Sequence, residues 1–191
     1  KVAVGDKVAV IGMGMTAIDA ATQAKRLGAK QVTMVYRRSE MEKPCTSVEL
    51  DIAKLDGCEI IWLAAPKEIK GENNKVKQLV CSKMQLGEPD ASGRRSPVDT
   101  GETFTLDVDM VIKAAGQMPF EDLVNEIKIQ NSKGKISIDN NSSTNITGVF
   151  AGGDAVNGGK EVVDAVQAGK NGARAIIEYI ATNARINTNK E

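Results

Sequence analysis

A short β-branched run that breaks into glycines and then into a helical pattern constrains this chain more than any other feature. Val8, Val10 and Ile11 lead into Gly12-Met13-Gly14-Met15-Thr16-Ala17, after which Ala17, Ala20, Ala21, Ala24 and Leu27 recur at helical spacing. Gly28 closes the helix, and a second β-branched run, Val32 to Tyr36, follows. The G-x-G-x-x-A therefore sits between a strand and a helix N-terminus, inside a strand-helix-strand unit. Gly12 permits the tight turn, Gly14 lets phosphates approach the backbone, and Ala17 lets the helix pack close to the strand. Unpaired N–H groups and the partial positive charge of the helix start suit a dinucleotide pyrophosphate. The competing reading is a plain strand-to-helix turn without a ligand. The flanking periodicities favour the ligand.

The end of the second strand discriminates between cofactors. An NAD site usually places Asp or Glu there for the ribose hydroxyls, whereas this chain has Tyr36-Arg37-Arg38. Guanidinium groups suit a 2′-phosphate, so NADP(H) is the expected cofactor, against the simpler reading of a solvated strand end. Lys43, in the loop that follows, is either a further phosphate contact or a solvated lysine.

Composition narrows the remaining classes. The 191 residues carry no net formal charge, no long basic run and little aromatic content, which argues against a nucleic-acid partner. No apolar run approaches the roughly 20 residues of a membrane span and no signal peptide opens the sequence, so a soluble, cytoplasmic protein is expected. Cys45, Cys58 and Cys81 are far apart and odd in number, which reads as reduced structural thiols. With no histidine in the chain, a Ser-His-Asp triad is excluded and a zinc site is not expected.

Beyond Arg38, Thr46 or Ser47 can cap a short helix through Val48, Leu50, Ile52, Ala53 and Leu55 that ends near Gly57, and a third strand runs from Glu59 to Leu63. From Pro66 to Val108 the pattern becomes a β-meander, with strands at Lys67 to Lys70, Lys75 to Leu86 and Glu102 to Val108 and turns at Gly71 to Asn74 and Glu88 to Gly101. Asp109 to Lys113 reads as a buried strand ending in Ala114-Ala115-Gly116. Ligands of open α/β sheets sit at strand carboxyl ends, so this turn either faces the same nucleotide as Gly12 or is an ordinary tight loop. A short strand from Lys135 to Ile138 precedes a polar stretch. A helix is then expected from Glu161 to Ala181, with Val162, Val166, Ala173, Ile176, Ile177 and Ile180 on its docked face.

Thr144 to Asp154 resembles the T-x-x-x-x-G-V-F-A-G-G-D motif by which flavoproteins with two dinucleotide sites hold FAD. Together with GMGMTA, YRR, KPCTSVELDIAKLDGCEI and AAGQMP, it makes the whole chain similar to the oxidoreductase family of the glutamate synthase small subunit and the flavin module of dihydropyrimidine dehydrogenase. The resemblance implies an α/β fold: a Rossmann-like NADP-binding domain over residues 1–117, a parallel sheet with a β-meander crossover, and the C-terminal piece of an FAD-binding domain over 118–191. It implies hydride transfer from NADPH to FAD and onward electron transfer through iron–sulfur clusters. By position, Met13 to Thr16, Arg37, Arg38 and Ala114, Ala115 and Gly116 would contact NADPH, with Lys43 matching less clearly. Gly153 and Asp154 would contact FAD, and the start of the last helix near Val162 would lie toward the flavin ring.

The family's cysteine-rich cluster region and first FAD-binding glycine turn have no counterpart here. The chain is thus expected to be a piece of a longer protein, inactive alone, without retained FAD and with iron–sulfur clusters only in the parent. Its partners would be the missing N-terminal region or a partner subunit, and its last helix could pair with a second copy. Two other classes stay open: a nucleotide-binding regulatory module without electron transfer, and a flavin-free short-chain dehydrogenase. The latter needs a Tyr followed four residues later by Lys, which neither Tyr36 nor Tyr179 provides. The absence of any convincing acid or base fits a site where cofactors do the chemistry.

Overall fold

The structure, a computed structural model, describes residues 3–91, 93 and 95–188. The chain divides into two compact units, Lys1–Gly116 and Gln117–Glu191.

The first unit is built on a four-stranded parallel sheet. Strand β1 (Lys7–Ile11) leads through helix α1 (Met15–Arg26) to β2 (Gln31–Tyr36), and helix α2 (Ser47–Leu55) connects β2 to β3 (Glu59–Trp62). Three meander strands follow, β4 (Ala64–Glu72), β5 (Lys75–Pro89) and β6 (Arg95–Asp107), before β7 (Met110–Lys113) returns to the sheet. The order is β3-β2-β1-β7, with Ile11 level with both Val35 and Lys113. Because side chains alternate across a strand, β1 and β2 feed two cores. Val8, Val10, Val32 and Met34 pack with the apolar stripe of α1 and with Leu50 and Ala53 of α2. Ala9 and Val35 face the meander residues Ala64, Leu79 and Cys81. Both faces are covered, which is why these strands read as continuous apolar runs rather than alternating ones.

Local chemistry accounts for the element ends. Thr46, not Ser47, caps α2: its hydroxyl accepts from the Glu49 amide, and the Glu49 carboxylate accepts from the Thr46 amide at 2.7 Å, a reciprocal capping box. Gly28, at φ 110°, follows the last turn of α1. Asn73 and Asn74, at φ 51° and 58°, form the two-residue turn between β4 and β5, the conformation an Asn-rich hairpin favours. The expected turn over Glu88 to Gly101 is shorter than that. Strand β6 already pairs from Arg95 opposite Pro89, with Val98 opposite Gln85, while Ser92 and Arg94 lie outside the described residues.

The second unit holds α3 (Glu121–Glu126), the two-residue strands β8 (Asn131–Ser132) and β9 (Lys135–Ile136), α4 (Asp154–Asn157) and the long α5 (Val162–Thr188). The Asp139 carboxylate accepts from the amides of Asn141 and Ser143, which folds the polar stretch into a side-chain-supported turn. Phe150 meets Tyr179 edge to face at 5.7 Å. Helix α5 runs past the expected end at Ala181, and within it the Thr182 hydroxyl and Asn183 amide group donate to carbonyls one turn earlier. Its predicted docking face differs from expectation: Val162, Val166, Ile176, Ile177 and Ile180 are all exposed. Among the described residues no helix is long and apolar enough to cross a membrane.

Candidate functional site

A cavity of about 560 Å³ opens at the carboxyl ends of β1, β2 and β7. Ile11, Gly12, Met13 and Gly14 come from the first turn, Val35 to Arg38 from the end of β2, and Ala114, Ala115 and Gly116 from the end of β7. Three elements distant in sequence converge there because the parallel sheet aligns their carboxyl ends, the usual place for a ligand in such a sheet.

The two glycines of the turn have different physical duties. Gly12 has φ 131°, and a Cβ there would stand 2.2 Å from the Ala114 carbonyl oxygen, so the close approach of β1 and β7 excludes any side chain. Gly14 has φ −80° and ψ 175°, an extended conformation open to any residue, and a Cβ there would meet no protein atom within 4 Å. The space beside Gly14 is a cradle that the fold itself does not need. Gly14 is also the N-cap of α1 and supplies no side-chain cap, so the first-turn N–H groups have no side-chain acceptor. The first turn carries no acidic residue to compete with an anion.

Arg38 is the most unusual polar residue of this unit. It is only 8% exposed, and among the described residues its Nε is buried without a hydrogen-bond partner. Its main chain is held by the Leu63 amide, which donates to the Arg38 carbonyl at 3.1 Å. Arg37 is exposed on the same cavity wall, and none of the ion pairs among the described residues engages either arginine. A buried guanidinium N–H without an acceptor is costly, and an anion on this wall would satisfy it. This is the observation by which the residues present fit a phosphorylated nucleotide.

The other sequence-selected residues fall out differently. Met13 is 1% exposed and its side chain belongs to the core, so only its backbone is available to a ligand. Met15 and Thr16 lie on the exposed first turn of α1, outside the cavity wall. Lys43 is also off the wall, its ammonium directed at the Glu40 carbonyl at 3.5 Å. Pro44, Ala65 and Pro66 complete the wall, and the sequence pattern did not single them out. Pro66 lies inside β4, and Pro44 in the loop before α2. In the second unit, Gly153 has φ 63° with open space at its Cβ position, Asp154 is exposed in the first turn of α4, and Val162 is exposed at the start of α5. Gly152 beside them is confined, since a Cβ there would lie 3.2 Å from that of Ala168.

Neither tyrosine is placed for acid–base work. The Tyr36 hydroxyl donates to the Glu42 carbonyl at 2.8 Å, and Tyr179 packs on Phe150 and under Gly148. Burial raises the ordinary pKa of all three cysteines, Cys81 to about 11, so none is poised as a thiolate. A second concavity, of about 590 Å³, lies at the amino ends of β1 and β7 beside Lys7, Lys75, Lys77 and Asp107. Its Asp109 carboxylate is already committed to the amides of Asp6 and Lys7, each at 3.0 Å.

A parallel sheet with helical crossovers, a glycine turn at its first strand and a cavity at its carboxyl edge define a Rossmann-type α/β protein. The chain belongs to the pyridine nucleotide-disulphide oxidoreductase family, whose model matches residues 1–169. It is 39% identical over 178 residues to the NADP(+)-dependent formate dehydrogenase subunit beta of Moorella thermoacetica, covering 92% of this chain and 25% of that protein. It is 39% identical over 189 residues to the glutamate synthase [NADPH] small chain of Azospirillum brasilense, covering 95% of this chain and 39% of that one. Thioredoxin reductase from Lactococcus lactis superposes with a TM-score of 0.77 at 25% identity, over 94% of this chain and 54% of that one. The chain thus spans well under half the length of these two curated relatives.

Proposed function

We propose that this chain is the NADPH-binding part of a flavin-dependent oxidoreductase, in which hydride passes from NADPH to FAD and electrons continue to iron–sulfur centres of a longer parent protein or partner subunit. The observation that carries the reading is the buried Arg38, its Nε unpartnered, beside Arg37 and across a cavity from the open cradle at Gly14. The pyrophosphate would rest on the amides of Gly14, Met15 and Thr16 at the α1 N-terminus, and the 2′-phosphate between Arg37 and Arg38. Ala114, Ala115 and Gly116 give the nicotinamide half a wall without side-chain bulk. Both relatives named above carry NADP(+) or NADPH in their names, which supports the choice of cofactor.

Residues 118–191 would supply one half of an FAD site, with Gly153 and Asp154 toward the ribityl or pyrophosphate part and Val162 toward the ring. FAD, when bound, would supply a two-electron acceptor able to pass electrons on one at a time. The residues of this chain bind and orient. The Tyr36 hydroxyl on the cavity wall donates to the Glu42 carbonyl, and a hydride transfer between two cofactors needs no acid or base. Lys43 remains a weaker phosphate contact, one that would first have to leave the Glu40 carbonyl.

Calorimetric titration of the 191-residue chain with NADPH and NADH tests the reading. Arg37→Ala and Arg38→Ala should each weaken NADPH binding by about 1.5–3 kcal/mol, the worth of a hydrogen bond to a charged group, while leaving NADH binding nearly unchanged. Equal affinity of the unaltered chain for the two cofactors would sink it.

A further inference from the structure

The segment that carries the two arginines is closed into a small ring by its own side chains. At one end of the ring, the Tyr36 hydroxyl donates to the Glu42 carbonyl at 2.8 Å. Inside it, the Glu42 carboxylate accepts from the Ser39 amide at 3.2 Å and from the Ser39 hydroxyl, while that hydroxyl accepts from the Met41 amide. Ser39 and Glu42 thus form a reciprocal capping box around a single 3₁₀ turn, Glu40–Glu42. Arg37 and Arg38 are the two residues between Tyr36 and this box, and Pro44, two residues beyond Glu42, is on the cavity wall.

A capping box ordinarily supports a helix that packs on a core, and the chain has one of that kind. Thr46 and Glu49 make the same bonds at the start of α2, whose Leu50 and Ala53 are buried. The turn at Glu40–Glu42 buries no residue, and Met41 is 89% exposed. Its capping box therefore secures almost no packing. What it does secure is the path of the main chain on the C-terminal side of Arg38, whose carbonyl is separately tied to the Leu63 amide. A planar guanidinium recognises phosphate only when its fork is aimed, so a fixed backbone exit carries over into selectivity.

We infer that Glu42 is a positioning residue for cofactor selectivity: by clamping Ser39, it holds Arg37 and Arg38 in the directions that distinguish a 2′-phosphorylated dinucleotide from its unphosphorylated counterpart. The inference rests on the nucleotide assignment of the preceding section and adds a residue that would touch neither cofactor. The same bonds from Ser39 hold the Glu42 carboxyl below the usual carboxylate range, so the clamp is present in its ionised form at neutral pH.

The test compares Kd for NADPH and NADH, together with thermal unfolding, in the full chain and three variants. Glu42→Ala should narrow the NADPH-to-NADH affinity ratio by about tenfold, chiefly through NADPH, the effect of misdirecting one charge-assisted contact. Glu42→Gln, which keeps an acceptor oxygen for Ser39, should restore the ratio to within about threefold of the original, showing that the clamp rather than the charge is responsible. Glu49→Ala removes the other capping box and should lower thermal stability without moving the ratio. An unchanged or widened ratio in Glu42→Ala, an equal narrowing in Glu49→Ala, or a Gln variant as impaired as the Ala variant would each overturn the inference. An unaltered chain with no preference for NADPH would remove the nucleotide assignment as well, which separates that failure from failure of the clamp alone.

Discussion

Replacing Gly14 by valine should abolish dinucleotide binding while leaving the fold almost untouched, and the neighbouring glycine supplies the control. At Gly14 the backbone is extended and a Cβ would meet nothing within 4 Å, so the folded chain accepts a side chain without strain. Loss of glycine's freedom in the unfolded chain stabilises by about 0.4–1 kcal/mol, and an apolar residue at an N-cap costs about 1 kcal/mol, so the net effect on stability is near zero. Binding answers differently. A valine would fill the open space beside Gly14 through which, on the reading proposed above, phosphate oxygens would reach the first-turn amides. Charge-assisted hydrogen bonds are worth about 1.5–3 kcal/mol each, so losing two raises Kd by roughly two to four orders of magnitude. Gly12→Ala should do the reverse of sparing the fold: its Cβ would stand 2.2 Å from the Ala114 carbonyl oxygen at φ 131°, so β1 and β7 must separate. Backbone strain alone contributes about 1–3 kcal/mol there, before the overlap is relieved. Calorimetry with NADPH and a thermal melt without ligand read the two effects separately. Unchanged NADPH affinity in Gly14→Val, or a loss of melting temperature equal to that of Gly12→Ala, would refute the division of labour.

Three other outcomes are expected. Arg38→Met should raise the melting temperature of the ligand-free chain, because it replaces a buried unpartnered Nε by an apolar side chain of similar length, while it weakens NADPH binding; a lower melting temperature would show that Arg38 is satisfied in the free protein. Cys81, whose pKa burial raises to about 11, should resist thiol reagents at neutral pH in the folded chain; since its neutral form is favoured only in the folded state, stability should be intact below the ordinary thiol pKa of 9.0 and fall by roughly 2–3 kcal/mol between there and 11, an effect absent from Cys81→Ala in pH-dependent denaturant unfolding. The purified chain should be colourless yet bind NADPH, since on the reading proposed above Gly153 and Asp154 would supply only one half of a flavin site; a visible absorption spectrum with stoichiometric flavin would contradict this.

Much of the first unit was legible because its signals are local. The β-branched runs, the glycine turn and the helical spacing of Ala17, Ala21 and Ala24 locate β1, α1 and β2 without reference to the rest of the chain. The start of β6 was not legible. Arg95 to Thr100 is polar and interrupted by Pro97, and these residues form a strand only because β5 offers a paired edge, a tertiary cause that no window of sequence contains. The same limit applies within the site. Arg37 and Arg38 look equivalent as a dipeptide, and only the fold buries one and exposes the other. Pro44, Ala65 and Pro66 join the cavity wall through the path of the loops around it, which periodicity cannot foresee. The Ser39–Glu42 capping box, by contrast, was readable as S-x-x-E, but it lacked the apolar run that normally follows and so gave no reason to be noticed.

That missing apolar run marks where the chain departs from simple stability. Around the cavity, several local choices leave the free protein less satisfied than it could be: an N-cap without a side chain, a buried arginine edge without an acceptor, and a capping box that secures no core. Each concerns a different element, yet all three face or flank one volume of about 560 Å³. A sequence under pressure for stability alone would cap α1 with Ser or Asp and replace Arg38 by an apolar residue, gaining about 1 kcal/mol or more at each place. Two anionic groups bound there would satisfy the first two, one accepting from the first-turn amides and the other from Nε, and on the inference above the third would set the direction from which the arginine meets its phosphate. A ligand with two separated phosphate groups would account for these departures together, which is the physical basis of the NADPH reading proposed for this cavity.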